Sequence, residues 1–289
     1  MSFETILYDV AEDGVCTVTL NRPEALNTVT FGMIDELIAA IDRADRDDAV
    51  RVIIVTGAGR VFSGGTDLSR PGGFGGGREG YKPLQGGNRD SGGALTIRMF
   101  DAMKPVIGAI NGPAVGIGAT MLLPMDIRIA AATARFAFPF VRRGILPESC
   151  SSWFLPRMVG ISRALAWTVT GRTIPVAEAL SAGLVHEVVE PSELLPRARA
   201  IAHEIARECS PLSVALTRQA MWRGLDAPHP IEANRIESRA LAALVPGGDT
   251  KEGVAAFREK RSPEFGSRVP RDLPDFVPWW PARDFDDAA

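Results

Sequence analysis

The stretch Val106-Ile107-Gly108-Ala109-Ile110-Asn111-Gly112-Pro113-Ala114-Val115-Gly116-Ile117-Gly118-Ala119-Thr120 decides how the rest of the chain is read. Val106, Ile107 and Ile110 suit a buried strand, Asn111-Gly112-Pro113 is turn chemistry, and Gly116-Ile117-Gly118 opens a helical run through Met121 and Leu122. A helix that begins this way leaves its first N–H groups without partners, and its glycines let a ligand come close to the backbone. Such donors, at the positive end of a helix, can hold an anion or an oxygen on which negative charge develops. Taken alone, the stretch reads equally well as a turn that merely packs.

A second stretch favours chemistry. Phe62-Ser63-Gly64-Gly65-Thr66-Asp67-Leu68 follows a continuous apolar strand, Val50 to Thr56, and ends in a small-residue turn. Two amides from separate turns would form an oxyanion hole. Together the stretches resemble the crotonase (enoyl-CoA hydratase/isomerase) superfamily, whose first motif is similar to Phe62 to Leu68 and whose second is similar to Asn111 to Asp126. The resemblance runs to about Phe265 and implies acyl-CoA chemistry, with coenzyme A carried by the substrate and no separate cofactor. It places the Thr66 and Ile117 amides on a thioester carbonyl that becomes an enolate. It also places Gly64, Gly65, Asp67, Leu68 and Gly116 around the bound acyl-CoA, and the Gly57-Ala58-Gly59 turn beside its adenosine part.

Composition sets the outer bounds. The 289 residues suffice for a full-sized core, and 46% hydrophobic with 23% charged residues is ordinary for a soluble globular protein. Thirty-two basic against 35 acidic residues, net charge -3, offer no general attraction for nucleic acid. Cys16, Cys150 and Cys209 are far apart and in no metal-ligand spacing, which points to reduced thiols, no metal site and a cytoplasmic location. The opening Met-Ser-Phe-Glu-Thr has no charged-then-apolar leader, so no secretory signal is expected. Pro105 to Met125 carries no charge until Asp126, but its glycines, prolines and Asn111 break it into strand, turn and helix; no membrane span is expected.

Along the chain, Val15 to Leu20 predicts a strand, Thr30 a helix cap, and Met33, Ile34, Leu37, Ile38 and Ile41 an amphipathic helix. Strand, helix, strand in that order argues for parallel pairing. Gly57-Ala58-Gly59 after a strand invites a dinucleotide site, but Phe62 stands where the third glycine belongs. Pro71 to Gly93 is glycine-rich and predicts a mobile loop, which the resemblance makes a lid near the acyl pocket. Leu95 to Met103 predicts a helix, Ile127 to Ala131 a strand, and Phe136, Phe138 and Phe140 core aromatics, one of which lines an acyl tunnel if the resemblance holds. Helices are expected at Ser162 to Thr168, Ser192 to Glu208, Pro211 to Leu225, Ile231 to Leu244 and Lys251 to Arg261. The last is similar to the superfamily's closing helix. By that resemblance Lys260 approaches the CoA phosphate, often from a neighbouring subunit, although a basic helix end needs no ligand to explain it. No Gly-x-Ser-x-Gly elbow accompanies the histidines, which disfavours serine-hydrolase chemistry.

The expected fold is α/β, a crotonase-like spiral of strand-strand-helix turns over residues 1–206, a helical assembly region over 207–266 and an extended Pro-rich tail over 267–289. A homotrimer or hexamer is expected, because Leu212, Val214, Leu216, Ile236 and Leu241 exceed what one spiral core needs.

Reaction type rests on what is missing. By the resemblance, hydratases use two glutamates, and Thr120 and Phe140 hold those positions here. Neither can act as a base near neutral pH, so two-carboxylate water addition is not expected unless the segment 71–93 supplies another acid. Pro139 to Pro156, with its Pro-Glu-x-Cys-Ser-Ser, is similar to the peroxisomal type of delta-3 to delta-2 enoyl-CoA isomerase, which puts Glu148 at the catalytic carboxylate. One base suffices for a double-bond shift. Pro147 and Glu148 also suit the opening of a helix, and Phe140, Ile145, Leu146 and Trp153 would desolvate the carboxylate. An isomerase, another crotonase-type hydratase or lyase, and a non-catalytic acyl-CoA binder all remain open.

Overall fold

Residues 3–69 and 89–283 are described by the computed structural model. The chain starts with an antiparallel pair, β1 (Ile6–Val10) and β2 (Val15–Leu20). β1 is an edge strand with one fully buried residue, Ile6, which is why its short mixed sequence gives no strand signal. Helix α1 (Phe31–Arg46) starts where the Thr30 side chain accepts the Met33 N–H, and it buries Met33, Ile34, Leu37 and Ile41. β3 (Val52–Gly57) then pairs parallel to β2.

Next come α2 (Ser91–Asp101), β4 (Val106–Ile110), β5 (Ala114–Val115) and α3 (Ile117–Thr120). They are followed by β6 (Ile127–Ala131), β7 (Arg135–Ala137), α4 (Ser151–Val159), α5 (Ile161–Thr170), β8 (Thr173–Pro175), α6 (Val176–Ser181) and β9 (Glu187–Val189). Four helices close the chain: α7 (Leu194–Glu208), α8 (Pro211–Gly224), α9 (Pro230–Leu244) and α10 (Gly248–Glu259).

The main sheet has the order β1-β2-β3-β4-β6-β9, parallel throughout after the first pair, and β5-β7-β8 form a second, smaller sheet. Residues alternate between two buried faces. Val52, Ile54, Ile107, Ala109 and Ile129 pack under α7 through Leu194, Ala198, Ile201 and Ala202. Ile53, Val55, Val106 and Ile110 face the other way, into the larger core with α1 and α2. Burial on both faces is what makes β3 and β4 read as continuous apolar runs. Each fully buried Ile or Leu among them contributes about 1.5–3 kcal/mol.

Several expectations need correction. The segment 71–93 is not all loop: its residues 71–88 lie outside the described residues, but α2 opens at Ser91 because the Asp90 carboxylate accepts the Gly92 and Gly93 N–H groups. No helix opens at Pro147-Glu148, since Ser149 and Cys150 take the left-handed conformation (φ 57° and 55°) and α4 begins at Ser151. The helical run after Gly116 is a single turn. Phe136, Phe138 and Phe140 are all buried in the core. Leu216, counted above toward an assembly surface, is buried within its own chain, and Leu212, Val214 and Ile236 are half-buried.

No residue of α9 is buried, and Ile231 and Leu241 on it, Val245 just after it and Phe257 on α10 are exposed. Beyond α10 the described residues, to 283, form no helix or strand but are docked. The Arg223 guanidinium lies 4.3 Å from the Phe100 ring centre and 4.2 Å from that of Trp280, while Arg239 lies 4.7 Å from that of Phe276. Among the described residues no helix is long and apolar enough to cross a membrane.

Candidate active site

Two turns at the carboxyl ends of the neighbouring strands β3 and β4 meet. Asn111 ties them together: its side chain accepts the Gly57 N–H (3.2 Å) and donates to the Gly59 carbonyl (2.8 Å). No helix opens after Gly57, so a pyrophosphate cradle of the dinucleotide kind is not formed there. Ser63 donates its N–H to Pro113 and accepts from the Val115 N–H, and its hydroxyl bonds the Asn27 carbonyl. Gly65 has φ 100°, and a Cβ there would stand 2.9 Å from the Val115 carbonyl oxygen, so only glycine fits.

Val29 then bridges Gly65 and Asp67, accepting the Asp67 N–H (2.9 Å) and donating to the Gly65 carbonyl (2.8 Å). Thr66, between them, points its amide to the opposite side, where it meets no acceptor among the described residues. On the other turn Gly116, at φ 55° and ψ -125°, donates to Ala137 and accepts from Ala119 and Thr120. The Ile117 amide that follows has no acceptor among the described residues. A Cβ on Gly116 would lie 3.9 Å from the Gly65 Cα, so the turns carrying these two amides touch. With only one helical turn behind Ile117, the N–H groups matter more than a helix dipole.

Glu148 lies beside them. Thr120 on α3 donates its hydroxyl to Glu148 Oε1 (2.9 Å), and the Ser149 hydroxyl donates to Oε2. A Cβ on Gly92 would collide with Glu148 Oε2 and lie 3.1 Å from Ile117 Cδ1, which places the first turn of α2, the carboxylate and Ile117 in one spot. Burial, with the negative charge of Asp90, pushes the Glu148 carboxyl up from 4.5 to about 7, while the two hydroxyls pull the other way. Leu146 is 76% exposed and takes no part in that burial. The backbone that aims Glu148 is held in its left-handed turn by the Ser149 N–H on Asp90 (2.7 Å), the Thr96 hydroxyl on the Ser149 carbonyl (3.1 Å) and the Ser151 N–H on the Glu148 carbonyl (3.1 Å). Edge-to-face contacts of Phe100, Trp153, Phe154 and Trp222 lock α2, α4 and α8 around it.

Asp90 is the functional neighbour that sequence reasoning missed. Its signal, an Asp four residues before Ala94-Leu95, is a helix-cap pattern, but Ser91-Gly92-Gly93 continues a glycine-rich run and hides it.

The remaining positions divide. Gly64 donates to the Leu26 carbonyl and shapes the first turn. Asp67 faces its own turn rather than an anion: Ser69 and Arg22 (3.0 Å) bind its carboxylate and hold it below the usual range. Leu68 is exposed beside it. Lys260 caps the far end of α10, exposed, and no contact brings it to Thr66, Ile117 or Glu148 in this chain. Among the described residues no group of His, Cys, Asp and Glu is arranged to hold a metal ion.

An α/β spiral with two touching strand-end turns, each presenting an open amide beside a half-buried carboxyl, defines a crotonase-like protein. Residues 10–268 match the family model described as enoyl-CoA hydratase/isomerase. An enoyl-CoA hydratase from Alternaria alternata, ACTT3, is 41% identical over 88% of this chain and 83% of its own. The 1,2-epoxyphenylacetyl-CoA isomerase of Escherichia coli is 34% identical over 88% and 95%. The crystal structure of an enoyl-CoA hydratase from Bacillus anthracis superposes with a TM-score of 0.81 at 31% identity, covering 91% of this chain and 99% of that one. The chain belongs to the enoyl-CoA hydratase/isomerase family and is an acyl-CoA enzyme.

Proposed function

We propose that this protein shifts the double bond of a 3-enoyl-CoA into conjugation, giving 2-enoyl-CoA, with Glu148 as the single base. The C2 proton of such a substrate lies between the thioester carbonyl and the double bond. Its removal by Glu148 leaves a dienolate whose charge rests on the thioester oxygen, where the Thr66 and Ile117 amides donate. Each such donor is typically worth about 3 kcal/mol in the transition state. The protonated Glu148 then returns the proton to C4. A carboxyl raised to about 7 both accepts and releases a proton near neutral pH.

The observation that carries the reading is the pairing of Glu148 with Thr120: the position where the resemblance expects a hydratase acid is filled by a hydroxyl, which donates to the half-buried Glu148 carboxylate (2.9 Å) and lies 3.4 Å from the Ile117 carbonyl. Phe140, at the other such position, is buried in the core. This agrees with the likeness of Pro139 to Pro156 to the peroxisomal type of isomerase. Replacing Glu148 by Gln should lower conversion of 3-enoyl-CoA about a hundredfold or more with little change in acyl-CoA affinity. Wild-type protein without this activity, or a Gln variant that retains it, refutes the proposal.

Hydration is the second reading. Relatives such as the Alternaria protein are named hydratases, and Asp90 adds a carboxylate that the sequence count omitted. All the same, three backbone N–H groups, from Gly92, Gly93 and Ser149, occupy the Asp90 oxygens. Hydration of crotonyl-CoA at rates typical of a hydratase would favour this alternative.

A further inference from the structure

We infer that Asp90 is a positioning residue for Glu148, a fixed negative charge and backbone anchor supplied by the start of α2 that keeps the Glu148 carboxyl both aimed and protonatable. The inference rests on the proposed role of Glu148 as the base.

The two carboxyl groups stand in opposite surroundings. Asp90 is on the exposed side, and its oxygens accept the Gly92 N–H (3.0 Å), the Gly93 N–H (2.9 Å) and the Ser149 N–H (2.7 Å). These three amides hold the Asp90 carboxylate in place at the start of α2. Glu148 is half-buried and receives two hydroxyls but no amide among the described residues. Ser149 links the two, its N–H on Asp90 (2.7 Å) and its hydroxyl on Glu148. Burial raises the Glu148 carboxyl, and the negative charge of Asp90 raises it further.

Asp90 also acts through the chain. Its bond to the Ser149 N–H holds the first of two consecutive left-handed residues, and the hydroxyl of that same Ser149 donates to Glu148 Oε2. One side chain thus fixes the turn after the base and the field at the base.

The other charged or titratable groups facing this spot are few among the described residues. Arg89 precedes Asp90, and the Cys150 thiol at the start of α4, itself pushed up by burial, feels Asp90, Arg89 and Glu148. α3 contributes the Thr120 hydroxyl and no ionisable group. None of these replaces the negative charge of Asp90.

The test uses the full-length protein. In Asp90→Asn, which retains a good cap residue but removes the charge, the midpoint of the rise of kcat/KM with pH for 3-enoyl-CoA should move down by about half a pH unit or more. kcat should fall at least about fivefold while KM stays within about twofold. Asp90→Ser, another capping residue, should behave alike. A midpoint unchanged in both variants overturns the inference, because that is what a purely structural cap would give.

An infrared pH titration separates this from the isomerase reading. Wild-type protein should show a protonated-carboxyl band that vanishes in Glu148→Gln and titrates well above the ordinary Glu range. If that band is present and moves down in Asp90→Asn while no 3-enoyl-CoA is converted, the isomerase reading fails and the Asp90–Glu148 pair stands. If Glu148 in the wild type titrates near 4.5, the pair is refuted whatever the activity, and this holds even if both Asp90 variants fail to fold.

Discussion

Glu148→Gln is expected to make the folded protein more stable at alkaline pH and not at acidic pH. The Gln side chain can accept the Thr120 hydroxyl and donate to the Ser149 hydroxyl, so both neighbours of Glu148 keep a partner. What changes is the charge. The folded-state carboxyl sits at about 7 against 4.5 ordinarily, chiefly from burial and then from the Asp90 charge. A raised folded value means that the protonated group favours the fold. That contribution is complete below about pH 4.5, is lost as pH rises toward 7, and is gone above. At about 1.4 kcal/mol per pKa unit, ionised Glu148 costs the wild type on the order of 3 kcal/mol, a cost the neutral Gln does not carry. Urea unfolding at fixed protein concentration, run at pH 5 and pH 8.5 on both proteins, measures it. The advantage of the variant should grow by about 2–3 kcal/mol between the two conditions. A stability difference that is the same at both pH values refutes the burial argument for Glu148.

Gly92→Ala is expected to lower kcat at least about tenfold while the protein remains folded, because the added methyl collides with the Glu148 carboxylate and the Ser149 hydroxyl whereas alanine is itself a good helix residue; near-normal turnover in a steady-state assay would contradict the placement of Glu148 against α2. The exposed apolar residues Leu241 of α9, Val245 at its end and Phe257 of α10 lead us to expect a homotrimer, or a hexamer made of two, and light scattering that returns a monomer at micromolar concentration would rule it out.

The sheet was legible where burial is symmetric. β3, β4 and β6 lie under helices on both faces, so their apolar runs stand out in the sequence, whereas β1 has one buried residue and could not be seen. Thr30 was legible as a cap because an amphipathic period follows at once; Asp90 was not, because two glycines of low helix propensity separate it from the apolar face. The open amides of Thr66 and Ile117 could be placed from glycine positions and the resemblance. Glu148 was singled out through the resemblance, with a helix start as the rival reading. Its Pro-Glu pair suggested a helix start, but two left-handed residues with side chains intervene, and no local propensity announces those. They persist only because α2 holds them from a distance in sequence, through Asp90 and Thr96.

The place of the two open amides after adjacent parallel strands also governs when the site can first exist. Antiparallel neighbours can zip from a tight turn, but β3 and β4 are joined only through a long crossover that includes α2, and the chain must close that loop before Ile53 and Val106 register. Helices α1 and α7 can gain structure locally, on the microsecond scale, without bringing Thr66 near Ile117. The catalytic geometry is therefore a late product of folding, with no partial version in a chain that has its helices but not the pairing of β3 with β4.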